Sequence, residues 1–163
     1  MQGYHKSVLL REAVDALNIR DACPAPERCR AWYLDLTLGD GGHSIEIIKR
    51  GGRVVGIDVD PQALERAQKR FKAEGIDKSK FRLIQGNFRD INSLIEKQTE
   101  LKDRKFNGAI FDLGVSSLQL ENPQRGFSFG KKGPIDMRMD PSLKATALDL
   151  LNILSRKELY ELF

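Results

Sequence analysis

Asp35, Gly39, Gly41, Gly42 and Asp58 are residues whose types and spacing can do chemistry together. Asp35 closes the apolar run Tyr33-Leu34, and the segment Gly39-Asp40-Gly41-Gly42-His43 follows it. Glycines there let the backbone take φ > 0 and admit a ligand where a Cβ would block it. Asp58 ends a second apolar run, Val54-Val55-Gly56-Ile57. It lies about 20 residues beyond Gly39, the distance at which a second-strand carboxylate meets ribose hydroxyls. Strand, glycine turn, helix, strand, acid is the order of half a nucleotide-cofactor fold. Asp35 discriminates between cofactors. A dinucleotide site places a pyrophosphate at the turn and gains nothing from a carboxylate there, and this turn lacks a third spaced glycine. S-adenosylmethionine carries no phosphate and presents an ammonium that needs an acceptor. These residues therefore point to an S-adenosylmethionine site on a methyltransferase. A nicotinamide-dependent dehydrogenase and a non-catalytic RNA-binding remnant are the competing readings.

The elements that must position these residues alternate. Ser7 is placed to cap a first helix in which Val8, Leu9, Ala13, Val14 and Leu17 recur at helical spacing, ending near Asn18. Tyr33 to Leu36 read as strand one, and a helix from about Ser44 to Arg50 stops at Gly51-Gly52 before strand two. Asp60-Pro61 is a cap followed by a first-turn proline, and Ala63, Leu64, Ala67, Arg70 and Phe71 trace one face of the next helix. Strand three is Phe81 to Gln85, a short helix carries Ile91, Leu94 and Ile95, and strand four runs from Phe106 to Asp112. Helical crossovers imply a parallel sheet, whose ligands lie beyond the carboxyl ends of the strands. Asp35, Asp58, Gly86-Asn87-Phe88 and Asp112 all fall at that edge.

Composition bounds the reading. At 163 residues, 40% hydrophobic and 31% charged, a compact chain would bury roughly two-thirds of its unfolded surface. No stretch reads as a membrane span, and Met1-Gln2-Gly3-Tyr4-His5-Lys6 has neither the apolar core nor the arginine-rich pattern of a targeting segment, so the expected compartment is the cytoplasm. The formal charge of +4 permits a polyanionic partner without requiring one. Cys23 and Cys29 flank a proline-containing loop without a histidine pair, which reads as two free thiols and no metal site.

Six motifs occur in order: Asp35-x-Thr37-x-Gly39-x-Gly41-Gly42-His43; Asp58-Val59-Asp60-Pro61-Gln62-Ala63; Gly86-Asn87-Phe88; Asp112-Leu113-Gly114-Val115-Ser116-Ser117 followed by Gln119; Arg125-Gly126-Phe127-Ser128-Phe129; and Gly133-Pro134-Ile135-Asp136-Met137-Arg138-Met139-Asp140. Together they closely resemble the motifs of the RsmH (MraW) family, bacterial enzymes that methylate N4 of a decoding-region cytidine in 16S ribosomal RNA. The resemblance runs from about His5 to Asp140, with Leu118 standing where the family usually has proline. It implies a Rossmann-like class I S-adenosylmethionine-dependent methyltransferase, an α/β fold, and the small ribosomal subunit as partner. It also implies cofactor contacts at Gly41, Gly42, His43, Asp58, Phe88, Asp112 and Gln119, beside the Asp35 and Gly39 read from spacing.

Each contact has a physical reason and a bland rival. Turn amides at a helix N-terminus can hold a methionine carboxylate, Asp58 can accept two ribose hydroxyls, and Phe88 offers an apolar flank to a purine. Alternatively the turn merely packs, Asp58 caps the next helix, Phe88 fills the core and His43 is a polar packing residue without a proton-transfer role. The N4 amine of cytosine is a weak nucleophile, so catalysis requires holding its N–H groups in line with the methyl group. Asp112, Ser116 and Ser117 are the candidate catalytic residues, the serines being equally readable as turn hydroxyls.

Arg125, Phe127, Phe129, Lys131 and Lys132 combine cations for phosphate with aromatics for an unstacked base; a solvated basic loop with two core-anchoring phenylalanines is an equal reading. For Met137, Arg138 and Met139 the preferred reading is methionines packed inward and Arg138 paired with an acid. Segments 145–154 and 155–163 read as helices. The resemblance makes them the entry to an inserted helical domain, so that residues 1–142 form the N-terminal half of the methyltransferase domain and 143–163 the start of the insertion, with the sheet truncated after strand four. Strand four, carrying Ala109, Ile110 and Phe111, is then expected to be an exposed edge that favours self-association.

Overall fold

The computed structural model describes residues 7–19 and 31–162. The cysteine loop with Cys23 and Cys29, and the opening Met1 to Lys6, lie outside the described residues. The chain divides into two compact units, Met1–Leu113 and Gly114–Phe163. The expected division between residues 142 and 143 falls inside the second.

The first unit is built on four parallel strands, β1 (Trp32–Asp35), β2 (Arg53–Asp58), β3 (Phe81–Gln85) and β4 (Gly108–Ile110), in the order β3-β2-β1-β4. Parallel neighbours need crossovers. They are supplied by α2 (Gly42–Lys49) between β1 and β2, α3 (Pro61–Ala73) between β2 and β3, and α4 (Ile91–Glu96) between β3 and β4; α1 (Leu10–Asp15) precedes the sheet. The chain moves outward from β1 to β3 and then returns to the other side of β1. The crevice where an α/β sheet takes ligands therefore lies at the carboxyl ends of β1 and β4.

Alternation along the strands supplies a core on each face of the sheet. Tyr33, Val54 and Ile110 face Val14 of α1, Ile45, Ile47 and Ile48 of α2, and Ala67 and Phe71 of α3. Trp32, Leu34, Val55 and Ile57 face Leu101, with Ile91, Leu94 and Ile95 of α4 and Phe106 packed against them. Phe71 is fully buried and meets the Phe81 ring edge-on at 4.7 Å. Burying one such side chain stabilises the fold by roughly 1.5–3 kcal/mol.

Most strand and helix expectations hold closely; the first helix and β4 depart most, and the helix ends at Asp15 rather than near Asn18. The first helix starts at Leu10 rather than beside Ser7, because Leu9 takes a left-handed φ of 47° and no side chain caps the helix. Val8 and Leu9 are exposed rather than on a packed helical face. β4 is three residues long instead of reaching Asp112. After Leu36 N–H donates to Ile110 O at 3.0 Å, the next acceptor met by that chain is a side chain: Asp112 N–H donates to Thr37 Oγ1 at 2.7 Å. Among the described residues no strand lies outside β4. Ile110, expected on an exposed edge, is buried, whereas Phe111 is exposed.

In the second unit, α5 (Ser117–Glu121) leads to a single 3-10 turn, Pro123–Arg125, and later to α6 (Ala147–Ile153) and α7 (Arg156–Leu162). α6 opens with a capping box in which Thr146 and Asp149 satisfy each other's amides. Leu148, Leu151, Ile153, Tyr160 and Leu162 are exposed.

Candidate functional site

Asp35 is placed by the last step of β1 and is almost wholly buried, at 1% exposure. Its Oδ2 accepts the Ser44 hydroxyl at 2.7 Å, while Oδ1 has no hydrogen-bond partner. Burial pushes its pKa above the usual 3.8; the Ser44 bond, His43 and the Thr37 amide pull the other way. A buried carboxylate with one oxygen unfinished favours a cationic donor.

The turn after β1 is held by a left-handed Gly39 (φ 50°) and Gly41 (φ 73°). A Cβ on Gly41 would stand 2.5 Å from Phe71 Cε1, so this position requires glycine for space as well as conformation. Gly41 is also the N-cap of α2, and no side chain caps that terminus. The helix therefore opens on backbone N–H groups with a partial positive charge, suited to a carboxylate. The turn is anchored by a contact that spacing does not show: Asp40 takes the Arg66 guanidinium in a fork, at 2.9 and 3.0 Å, and Arg70 reaches the Asp40 carbonyl at 3.3 Å. His43 is buried, its Nε2 lying 3.2 Å from Val8 O. That contact supports the polar packing role.

Asp58, at the end of β2, accepts Gly39 N–H on Oδ2 at 2.9 Å and Asp60 N–H on Oδ1 at 3.0 Å. It buttresses the glycine turn; the helix cap is Asp60, which accepts Gln62 N–H at 3.0 Å. Burial raises the Asp58 pKa, opposed by those backbone bonds. A carboxylate has about four accepting positions, so two amides leave Asp58 capacity for hydroxyls.

Phe88 and Phe111 meet edge-to-face, with ring centroids 5.6 Å apart, on the same carboxyl edge. Asp112 is exposed beside them, its backbone tied to Thr37 as described. The structure thus brings Asp35, Gly39, Gly41, Gly42, His43 and Asp58 to the ends of β1 and β2, and Phe88 and Asp112 to the same edge of that unit.

Ser116, Ser117 and Gln119 open the second unit. Ser116 and Gln119 form the capping box of α5: Ser116 Oγ accepts Gln119 N–H at 3.2 Å, and Gln119 Oε1 accepts Ser116 N–H at 2.9 Å. Gln119 is buried. Arg125 corrects the sequence reading. It is buried rather than offered to phosphate, and donates to the carbonyls of Arg138 and Met139 at 2.9 and 3.1 Å. Phe129 is fully exposed, and Lys131 donates to Glu121 O at 2.6 Å. Arg138 pairs with Asp136 through two bonds of 2.8 and 2.7 Å, as expected, but Met137 and Met139 are exposed instead of packed inward. Among the described residues no cluster of His, Cys, Asp and Glu could hold a metal ion, and no helix is long and apolar enough to cross a membrane.

The sequence profile of the MraW methylase family matches residues 2–163. The chain belongs to the MraW methylase family. Within it, the chain is 43% identical to ribosomal RNA small subunit methyltransferase H of Carboxydothermus hydrogenoformans, over all of this chain and 48% of that protein. It is 49% identical to the protein of the same name from a Synechococcus species, over 80% of this chain and 42% of the relative. This MraW-family chain spans about half the length of the curated relatives it matches. Among solved structures, an rRNA methylase of Streptococcus thermophilus aligns at TM-score 0.50 and 20% identity, over 68% of this chain and 57% of that one. A methyltransferase of Streptococcus mutans in complex with SAH aligns equally well, at 19% identity over 69% and 56% of the two chains. These two establish the fold: a Rossmann-like α/β sheet of the class I methyltransferase type.

Proposed function

We propose that this chain carries the S-adenosylmethionine site of a small-subunit ribosomal RNA methyltransferase whose acceptor is N4 of a cytidine in 16S RNA. The observation that carries the reading is Asp35: a buried carboxylate oxygen without a donor, one turn from an uncapped helix start and joined through Gly39 to Asp58. An ammonium, a carboxylate and a ribose diol on one ligand match those features. NAD offers no ammonium N–H donor to Asp35.

Asp35 and the α2 amides would hold the methionine end, Asp58 the ribose and Phe88 the adenine. Bound there, the cofactor supplies an electrophilic methyl group on a sulfonium. Asp112, exposed at the end of β4, would accept an N–H of the target amine and keep its lone pair in line. Ser116, Ser117 and Gln119 are assigned to the site by the family resemblance alone; Ser116, whose Oγ accepts the Gln119 amide, retains a hydroxyl hydrogen to donate. The relatives are about twice as long as this chain; cofactor binding is assigned to these residues and turnover to the whole protein, acting in the cytoplasm on the small ribosomal subunit.

Calorimetry tests the cofactor. The chain should bind S-adenosylhomocysteine and not NAD, and Asp58→Ala should weaken binding by about 1.5–3 kcal/mol, the worth of hydrogen bonds to a charged group. Tight NAD binding, or unchanged affinity in the variant, would sink the assignment. For the acceptor, nucleoside mass spectrometry of small-subunit RNA methylated by the whole protein should find N4-methylcytidine. A methyl group on carbon or ribose overturns the amine reading.

A further inference from the structure

β3 and β4 are the two edges of the sheet, so their carboxyl ends are three strand spacings apart, about 14 Å. Yet Phe88, three residues after β3, touches Phe111, the first residue after β4, at 5.6 Å and 87°. The last ladder bond between β2 and β3, Gly86 N–H to Asp58 O at 2.9 Å, holds the chain in register up to the residue before Asn87, so the span is closed by the residues after it and by the two rings. Asn87 then caps the short turn Phe88–Asp90 by accepting Arg89 N–H at 3.0 Å. Phe111 is fixed from both sides by the Leu36–Ile110 and Thr37–Asp112 bonds. Both rings stand on braced backbone, yet Phe88 is 37% and Phe111 53% exposed. Two large apolar rings left in solvent at a ligand edge need an apolar, flat partner.

We propose that Phe111 is a binding residue for the purine of the nucleoside cofactor, sharing the base with Phe88 and fixing the Phe88 ring through their edge-to-face contact. This rests on the cofactor reading above and adds a residue to it. The pair reaches over β1 and β2, whose ends carry Asp35 and Asp58, so a base against it is continuous with the ribose acceptor. An offset-stacked base on Phe88 leaves the perpendicular Phe88–Phe111 contact in place, which is favourable because ring edges are positive and faces negative.

Calorimetric titration of S-adenosylhomocysteine into the chain and its variants tests the assignment. Phe111→Ala should lose roughly 3- to 10-fold in affinity, the worth of one aromatic contact, whereas Phe111→Tyr should stay within about twofold. In a Phe88→Ala background the effect of Phe111→Ala should shrink, showing that the two rings act on one base. In NMR spectra, the adenine H2 and H8 signals of the ligand should keep part of their ring-current shift in Phe88→Ala and lose it when Phe111→Ala is added, a pattern that a role confined to positioning Phe88 would not produce. Unchanged affinity in Phe111→Ala, or equal losses in the Ala and Tyr variants, overturns the role of Phe111 while leaving the cofactor reading intact. A parent chain that takes up no S-adenosylhomocysteine overturns both.

Discussion

Asp35 and Asp136 are aspartates that their surroundings push in opposite directions. Burial raises Asp35 above 3.8, so the folded chain keeps that proton to higher pH than the unfolded chain does. Its contribution to stability therefore falls as pH rises from 3.8 through the raised value and is level beyond it. Cofactor affinity should move the other way. An ammonium pairs with the ionised carboxylate, so calorimetry across acid pH should show binding lost as Asp35 takes up its proton, and Asp35→Asn should flatten that loss. Asp136 is held down to about 2, first by its Arg138 bonds. Its stabilising part is complete above 3.8 and disappears as pH falls toward 2. Asp35 and Asp58 were legible as ligand groups because strand ends and glycine spacing are local signals. Ser44, Thr37 and the Asp40–Arg66 fork were not, because hydrogen bonds between elements leave no periodic trace.

At the scale of elements, the glycine turn and α3 are one construction. Phe71 fills the space beside Gly41, and Arg66 grips Asp40 from the same helix. Gly41→Ala must adopt a left-handed φ and push a methyl group into a buried ring. It should cost about 2–4 kcal/mol, combining left-handed strain with overpacking. Urea unfolding would measure it, and a loss below the cost of strain alone would show that Phe71 yields. α3 was readable because its cap, proline and apolar face all agree along one stretch of chain. The end of β4 was not: Phe106 to Asp112 is apolar enough for a longer strand, but its last amide is taken by Thr37, 75 positions earlier.

For the whole molecule, the sheet ends at β4 among the described residues, where Ala109 is exposed. The second unit shows solvent Ile153, Tyr160 and Leu162. An unpaired strand edge and exposed apolar helices both favour association. Light scattering of the chain should therefore show concentration-dependent self-association; a strictly monomeric chain at high concentration would refute this. Arg125 shows why the second unit was harder to read than the first. Its sequence places a cation between polar and aromatic neighbours, a pattern equally suited to phosphate and to backbone carbonyls, and only the return of residues 138 and 139 decides between them.

The Thr37–Asp112 bond has a consequence in time as well as in space. Asp112 is exposed, and an exposed amide on a strand's fraying end ordinarily trades its hydrogen for deuterium quickly. Here the amide nitrogen lies 2.7 Å from the side-chain hydroxyl of the residue two places after Asp35, so release of the hydrogen requires that bond to break first. The Asp112 amide should exchange more slowly than the exposed amides that follow it, and Thr37→Val, which keeps the shape and removes the acceptor, should make it exchange like an ordinary loop amide. One hydroxyl thus sets how long the residue assigned to the target amine stays in register with the strand that carries the cofactor acceptor.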